Sequence, residues 1–180
     1  MIKILKIFSI TFMAGLLLLI ILGLFMKPVT YVTRTIVIES PTTVVWRHLL
    51  EYNSYQDWQK GVKKVVLNKG DELWEGATLR FYHMDQEREI SHEERVVKID
   101  ANSQISFRRD GLNENPLLQD FQTTYLVKRL LDGTSELTIR ISYHTSGFVT
   151  RIYNQLFLRA NYSADCDKNL GALRKLIDNS

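Results

Sequence analysis

Cysteine occurs once in this chain, at Cys166, so no internal disulfide can hold the fold and the core must do that work. The same scarcity excludes a lipoprotein, because acylation needs a cysteine directly after an apolar leader and Cys166 lies far downstream. Phosphate-cradling glycine loops are missing: neither Gly-x-Gly-x-x-Gly nor a Walker-type pattern occurs, so nucleotide binding has no support and no cofactor is expected. A Gly-x-Ser-x-Gly turn for a serine nucleophile is absent as well, and Ser146-Gly147 reads as a turn into a helix. There is no internal repeat and no low-complexity tract. Basic charge is scarce where it would count. Of 23 Lys and Arg, three (Lys3, Lys6 and Lys27) flank one apolar run, and the remainder equals the 20 Asp and Glu. Nucleic-acid binding needs a surplus of cations to displace phosphate counterions, and residues 28–180 have none.

What the chain does have is that apolar run. Twenty residues without a charge, Ile7 to Met26, separate Lys6 from Lys27, a helix of roughly 30 Å, the hydrocarbon thickness of a bilayer. A cleaved secretory signal would carry a shorter core and a small-residue cleavage site, and no Ala-x-Ala-like site follows. Residues 1–27 are therefore expected to be an uncleaved single-pass membrane anchor, and 28–180 one folded domain long enough for a large core. The amino terminus, Lys3 and Lys6 outweigh Lys27 and Arg34 by about one charge, which favours the domain on the extracytoplasmic side of the cell membrane.

After a junction at Pro28–Thr30, Tyr31–Glu39 alternates and is rich in β-branched residues, as a strand requires. Ser40-Pro41 stops it and starts a helix to about Leu50, with Ser40 as the expected N-cap. A second short helix is expected over Ser54–Lys60. Six strands follow, at Val62–Leu67, Ala77–Met84, Glu87–Ile99, Gln104–Arg109, Leu117–Leu130 and Glu136–His144. Their separators are turn chemistry: Lys69-Gly-Asp, Asp100–Ser103, Gly111–Pro116 and Asp132–Ser135, with Asp132-Gly133 the sharpest hairpin signal. From Gly147 the period changes, and Phe148, Ile152, Leu156, Ala160, Ser163, Leu170, Leu173 and Ile177 predict one long closing helix. The fold class is α+β: a curved seven-stranded antiparallel sheet whose apolar face only that helix is long enough to cover. The space between them is where a ligand would go.

Arg34–Trp46 (RTIVIESPTTVVW), then Leu49-Leu-Glu-Tyr52, Tyr55 and Trp58, resemble the opening of the START/polyketide-cyclase superfamily, also called SRPBCC, whose members share the helix-grip fold. Lys168–Ile177 is similar to that superfamily's last helix. The resemblance covers residues 31–177 in element order and is residue-specific only at its two ends. It implies a hydrophobic cavity between sheet and terminal helix, used across the superfamily for sterols, phospholipids, polyketides and plant hormones, and in some members for cyclisation or hydrolysis. The superfamily has no invariant catalytic motif, so the matching residues mark the fold and assign no chemistry.

Strand parity turns Leu79, Phe81 and His83 inward, with Ile105, Phe107 and Arg109, Phe121, Thr123, Tyr125 and Val127, and Leu137, Ile139, Ile141 and Tyr143. The strand Ile90–Ile99 is ambiguous: its start places Ile90, His92 and Glu94 inward, its end Val97 and Ile99, so a bulge is expected between them. For His83, His92, Glu94 and Arg109 two readings stand. They converge with Tyr125 and Tyr143 as a proton-transfer site, or they are strand-end surface residues beside two tyrosines that merely line the cavity. His92 and Glu94 could chelate, but no third ligand has a motif-like spacing and no metal is expected. On the terminal helix, Phe148, Ile152, Tyr153, Leu156, Phe157 and Leu158 cover a broader arc than one sheet-facing stripe needs. That arc is gripped by the sheet and short helices, or part of it rims a lipid portal, meets the membrane or forms a homodimer; Arg151 and Arg159 would suit lipid headgroups.

The leading expectation is a membrane-anchored domain that binds a hydrophobic small molecule or lipid, with Leu79, Phe81, Phe107, Tyr125, Tyr143, Ile152 and Leu156 as cavity lining. The alternatives are a cyclase- or hydrolase-like enzyme relying on His92, Glu94 or Tyr143, and a non-catalytic interaction domain whose large inward side chains fill the cavity.

Overall fold

The computed structural model describes residues 2–85, 88–110 and 118–179. Helix α1, Ile2–Phe25, holds the apolar run, and among its described side chains from Phe8 to Phe25 only Gly23 is buried. After three intervening residues strand β1, Val29–Ile38, begins. It is followed by α2 (Thr42–Leu50), a 3-10 turn (Tyr52–Ser54) and α3 (Tyr55–Trp58). Then come β2 (Val62–Leu67), β3 (Thr78–Asp85), β4 (Arg88–Asp100), β5 (Gln104–Asp110), β6 (Leu118–Arg129) and β7 (Ser135–Thr145). The expected turn at Gly111–Pro116 lies outside the described residues.

The seven strands form one antiparallel sheet in the order β1-β7-β6-β5-β4-β3-β2, so only the β1–β7 pair joins strands distant in sequence. Alternation decides the inner face: Leu137, Ile139, Ile141 and Tyr143 of β7 are all buried. In β4 the conflict of parity is resolved by a register shift between Val96 and Lys98, which leaves Val97 exposed and returns Ile99 to the core side. Glu94 and Val96 face inward before the shift, while Ile90 stays half-exposed. The β6–β7 hairpin turns at Asp132-Gly133. Thr134 donates to Asp132 Oδ1 through its amide at 3.0 Å and its hydroxyl at 2.6 Å, and Gly133 takes the φ of +85° that the turn requires.

Helix α2 starts without the expected serine cap. Pro41 is the cap residue, and its carbonyl accepts from the amides of Val44 and Val45 at 3.0 and 3.3 Å. The Ser40 carbonyl instead accepts from Ser135 Oγ at 2.6 Å, so β7 pins the helix start. The short second helix ends at Trp58, two residues before its expected limit at Lys60, because Gln59 is already extended.

The closing helix is continuous but not uniform: α4 (Phe148–Tyr153), a π turn (Asn154–Leu158) and α5 (Arg159–Asp178). The π turn is wider than 3.6 residues, so the buried stripe arriving from Ile177, Leu173, Leu170 and Cys166 continues through the partly buried Tyr162 and Leu158 to Asn154 and Thr150. It misses the expected Ile152, Leu156 and Ala160, and Leu156 is 62% exposed. Asn154 sits at the inward point of the turn, accepting from Tyr143 Oη at 2.6 Å and donating to Thr30 Oγ1 at 2.7 Å. Helix α5 packs on β1, β7, α2 and α3, closing the sheet's inner face.

Candidate functional site

Between the sheet and α5 a cavity of about 140 Å³ remains. Its walls are apolar where the parity rule placed apolar residues, with Phe81 from β3, Phe121 and Tyr125 from β6, Ile139 and Ile141 from β7 and Cys166 and Tyr162 from α5. Its mouth lies between the α3–β2 loop and α5. There Lys60 Nζ meets Asp165 Oδ1 at 2.6 Å, and the Lys60 amide donates to Asn169 Oδ1 at 2.8 Å. The remaining wall is polar: His83, His92, Glu94 and Arg109.

These four form one assembly across three adjacent strands, because β3, β4 and β5 pair in a register that sets Glu94 opposite both Leu79 and Arg109, and His92 opposite Phe81. Glu94 is the centre and only 7% exposed. Its Oε1 accepts from Arg109 Nη2 at 2.9 Å and Nε at 3.2 Å, and lies 3.2 Å from His92 Nε2. Aromatic packing fixes the partners. His92 stacks between Phe81 and His83, with ring centroids 5.2 and 4.9 Å away, and the Arg109 guanidinium carbon sits 4.5 Å over the Phe121 ring.

Burial alone would push the Glu94 carboxyl up; the hydrogen bond from His92 and the charge of Arg109 outweigh it, and the net shift is below the ordinary carboxylate value. Glu94 is therefore an anion committed to two donors. His83 is held below the usual histidine value, first by burial and then by the neighbouring His92, and its Nε2 is buried without a hydrogen-bond partner. Burial likewise raises the Tyr125 hydroxyl, which stays neutral and accepts from Gln59 Nε2 at 3.4 Å. The Cys166 thiol rises to about 11 through burial and the nearby Asp167 and Asp165, so it is not a thiolate at neutral pH. Chemically the wall offers a fixed guanidinium, two imidazoles and a phenol facing aliphatic and aromatic surface. Among the described residues no three His, Cys, Asp or Glu side chains are grouped as a metal would need.

The profile of the family described as polyketide cyclase/dehydrase and lipid transport matches residues 30–178, which is the whole unit from β1 to α5. The chain belongs to that family. Solved structures agree on the fold. The ZhuI aromatase/cyclase from Streptomyces sp. R1128 superposes with a TM-score of 0.67 at 16% identity, over 83% of this chain and 94% of that one. The di-domain aromatase/cyclase StfQ of the steffimycin biosynthetic pathway gives 0.65 at 12% identity, over 84% of this chain and 51% of that one. A major latex-like protein from Panax ginseng gives 0.57 at 13% identity, over 79% and 99%. No curated protein sequence matches the chain.

Within this polyketide-cyclase family fold, the residues expected to line a cavity separate into three groups. Phe81 and Tyr125 line it. Leu79, Phe107 and Tyr143 lie behind it in the packed core, Phe107 in edge contact with Tyr55 and Tyr125 at 6.3 and 6.1 Å, and Tyr143 bound to Asn154. Ile152 and Leu156 are outside it: Ile152 packs against Gly23 of α1 and Leu156 is exposed, both displaced from the stripe by the π turn. His83, His92, Glu94 and Arg109 meet on the cavity wall with Tyr125 and are not strand-end surface residues, while Tyr143, expected to join them, is turned to Asn154. Sequence reasoning also missed Tyr162 as a wall residue, although it stands one helical turn before the buried Cys166 on the regular helix α5 and so shares its face.

Proposed function

We propose that this chain is a membrane-anchored member of its family that binds a hydrophobic small molecule or a lipid moiety between sheet and α5. The observation that carries the reading is the pairing of apolar walls with a preorganised Arg109–Glu94–His92 unit, half-buried around a buried carboxylate, the arrangement that recognises an apolar body bearing a carbonyl or carboxylate oxygen. A ring or a head group fills about 140 Å³. Ligand pockets commonly run from about 300 Å³ upward, so a longer apolar part requires the mouth at Lys60 and Asp165 to part. What supports anchoring is α1, an apolar helix whose described residues from Phe8 to Phe25 are exposed apart from half-buried Ile20 and buried Gly23. An apolar ligand partitions into the bilayer, and the tether shortens its route to the mouth.

Native mass spectrometry of residues 28–180, followed by organic extraction, tests the reading. A defined lipophilic mass is expected, lost on replacing Arg109 by Gln. A clean apo mass after incubation with membrane lipid extract sinks the binding reading and leaves the filled-cavity interaction domain. One observation favours catalysis as the second reading: neutral His83, with an unpartnered buried nitrogen beside His92, could accept a proton from a bound ligand. In that case the extracted molecule is converted on incubation with the protein, and His83→Gln leaves binding intact while conversion stops.

A further inference from the structure

Helix α4 leans on α1 inside the apolar run. Gly23 makes this contact: a Cβ there would lie 2.9 Å from Phe148 Cβ, 3.1 Å from the Phe148 carbonyl oxygen and 3.3 Å from Ile152 Cδ1, so the two helices touch backbone to side chain with no room between them. Along the axis of α1, Gly23 is four residues inside Lys27, a depth of about 6 Å. The rest of the domain has little freedom to lift away. Only Met26–Pro28 separate α1 from β1, and the Pro28 carbonyl is fixed by the Thr145 amide at 2.8 Å and the Thr145 hydroxyl at 3.1 Å.

On the face of α4 and the π turn away from the sheet, Val149, Tyr153, Leu156 and Phe157 are all exposed, and the Tyr153 and Phe157 rings touch at 5.3 Å. The spacing of four, three and one residues keeps them on one side, and Leu24 and Phe25 at the end of α1 are exposed as well. Beside them, where α1 gives way to β1, is a cleft of about 430 Å³ lined by Lys27, Arg151 and Arg159 and by no carboxylate. Arg151 Nη1 donates to the Met26 carbonyl at 3.4 Å, and its Nε has no partner.

We propose that Phe148–Leu158 is an interfacial insertion element: it lies in the bilayer plane with Val149, Tyr153, Leu156 and Phe157 among the acyl chains and Lys27, Arg151 and Arg159 against anionic headgroup phosphates. The inference rests on α1 spanning the bilayer as proposed above. Interfacial helices bury their apolar face about 5–10 Å deep, which matches the depth that Gly23 imposes on α4. The π turn is what frees this face, because it swings Asn154 and Thr150 toward the sheet in place of Ile152 and Leu156. The consequence is a fixed posture, with one end of the sheet pressed to the headgroups.

Site-directed spin labelling of the full chain in phosphatidylcholine–phosphatidylglycerol vesicles tests this. Three single-cysteine variants in a Cys166→Ala background carry the nitroxide: Phe157→Cys, Leu16→Cys in α1, and Leu131→Cys, fully exposed at the β6–β7 hairpin. The hairpin is a strand's length from α4, since the eleven residues of β7 from Ser135 to Thr145 span about 33 Å. Expected is a ratio of oxygen to nickel-chelate collisions several-fold higher at 157 than at 131, approaching that at 16. A water-like label at 157 with a lipid-like label at 16 overturns the insertion while α1 still spans. Water-like labels at both overturn the spanning reading, and the insertion with it. Dipolar broadening at 157 without lipid contact assigns the face to a second copy of this chain and overturns the proposal as well.

Discussion

Glu94 couples the site to the stability of the fold. It is buried and accepts from Arg109 and His92, so Glu94→Gln removes the anion and leaves the half-buried guanidinium without its counter-charge. A loss of about 1–3 kcal/mol is expected in chemical denaturation at pH 7. The sign with pH follows from the lowered folded pKa. The contribution is complete above the unfolded value of about 4.3 and is lost as pH falls through the folded one, so the gap between wild type and variant should close below about pH 4.3. A gap constant down to pH 2 would mean that Glu94 does not titrate with folding. His48 presents the opposite case. It is buried in α2, both ring nitrogens lack a partner, and burial followed by the charge of Arg47 holds its pKa below the usual value. His48→Leu should therefore raise stability by about 1 kcal/mol at pH 8. Because neutral His48 supports the fold only above about pH 6.5, the gain should be larger at pH 5. A destabilised variant at both pH values would show that the ring nitrogens are solvated.

At the scale of elements, the π turn decides which face of the closing helix the sheet receives. Asn154 holds it by bridging Tyr143 on β7 and Thr30 on β1, and Tyr143, with its own pKa raised to about 12 by burial and the nearby Tyr162, stays a donor throughout the working pH range. Asn154→Ala should cost about 2–4 kcal/mol, since two buried hydrogen bonds are lost and the Tyr143 hydroxyl is stranded. The check is urea unfolding with an unchanged slope, and a cost below ~0.5 kcal/mol would mean that the turn is held by packing alone. The register shift in β4 has a comparable part. Without it Ile99 would point to solvent, and with it both Glu94 and Ile99 serve the inner face.

For the whole molecule, the buried apolar core among the described residues runs from Val32 to Ile177 and includes none from α1. Removal of residues 1–27 should therefore leave the domain folded, with a midpoint of thermal unfolding within about 5 °C of the full chain, a shift of roughly 1 kcal/mol. The full chain should resist alkaline extraction from membranes while the truncated domain is released. Retention of the truncated domain in the pellet would assign the attachment to the domain itself, through the apolar face of α4.

The order of elements, the seven-strand sheet, the inward parity of β3 and β5–β7, the hairpin at Asp132-Gly133 and the apolar helix ahead of the domain were all legible in the sequence. Each is set by periodicity or turn chemistry within a few residues. The Ser40 cap and the stripe through Ile152 and Leu156 were not, because the helix starts one residue later, at a Pro41 cap, with the Ser40 backbone held by β7, and one π turn rephases a helix without marking its composition. The site itself was legible only in part. Alternation could place His83, Glu94 and Arg109 on an inner face, but whether they meet depends on the register of three strands, and register is a property of the assembled sheet. Local residue pattern therefore determined which elements form and which way their side chains turn. Tertiary structure alone decided which of those side chains share one carboxylate, and which apolar residues of the closing helix are left exposed, because both depend on how distant elements pack.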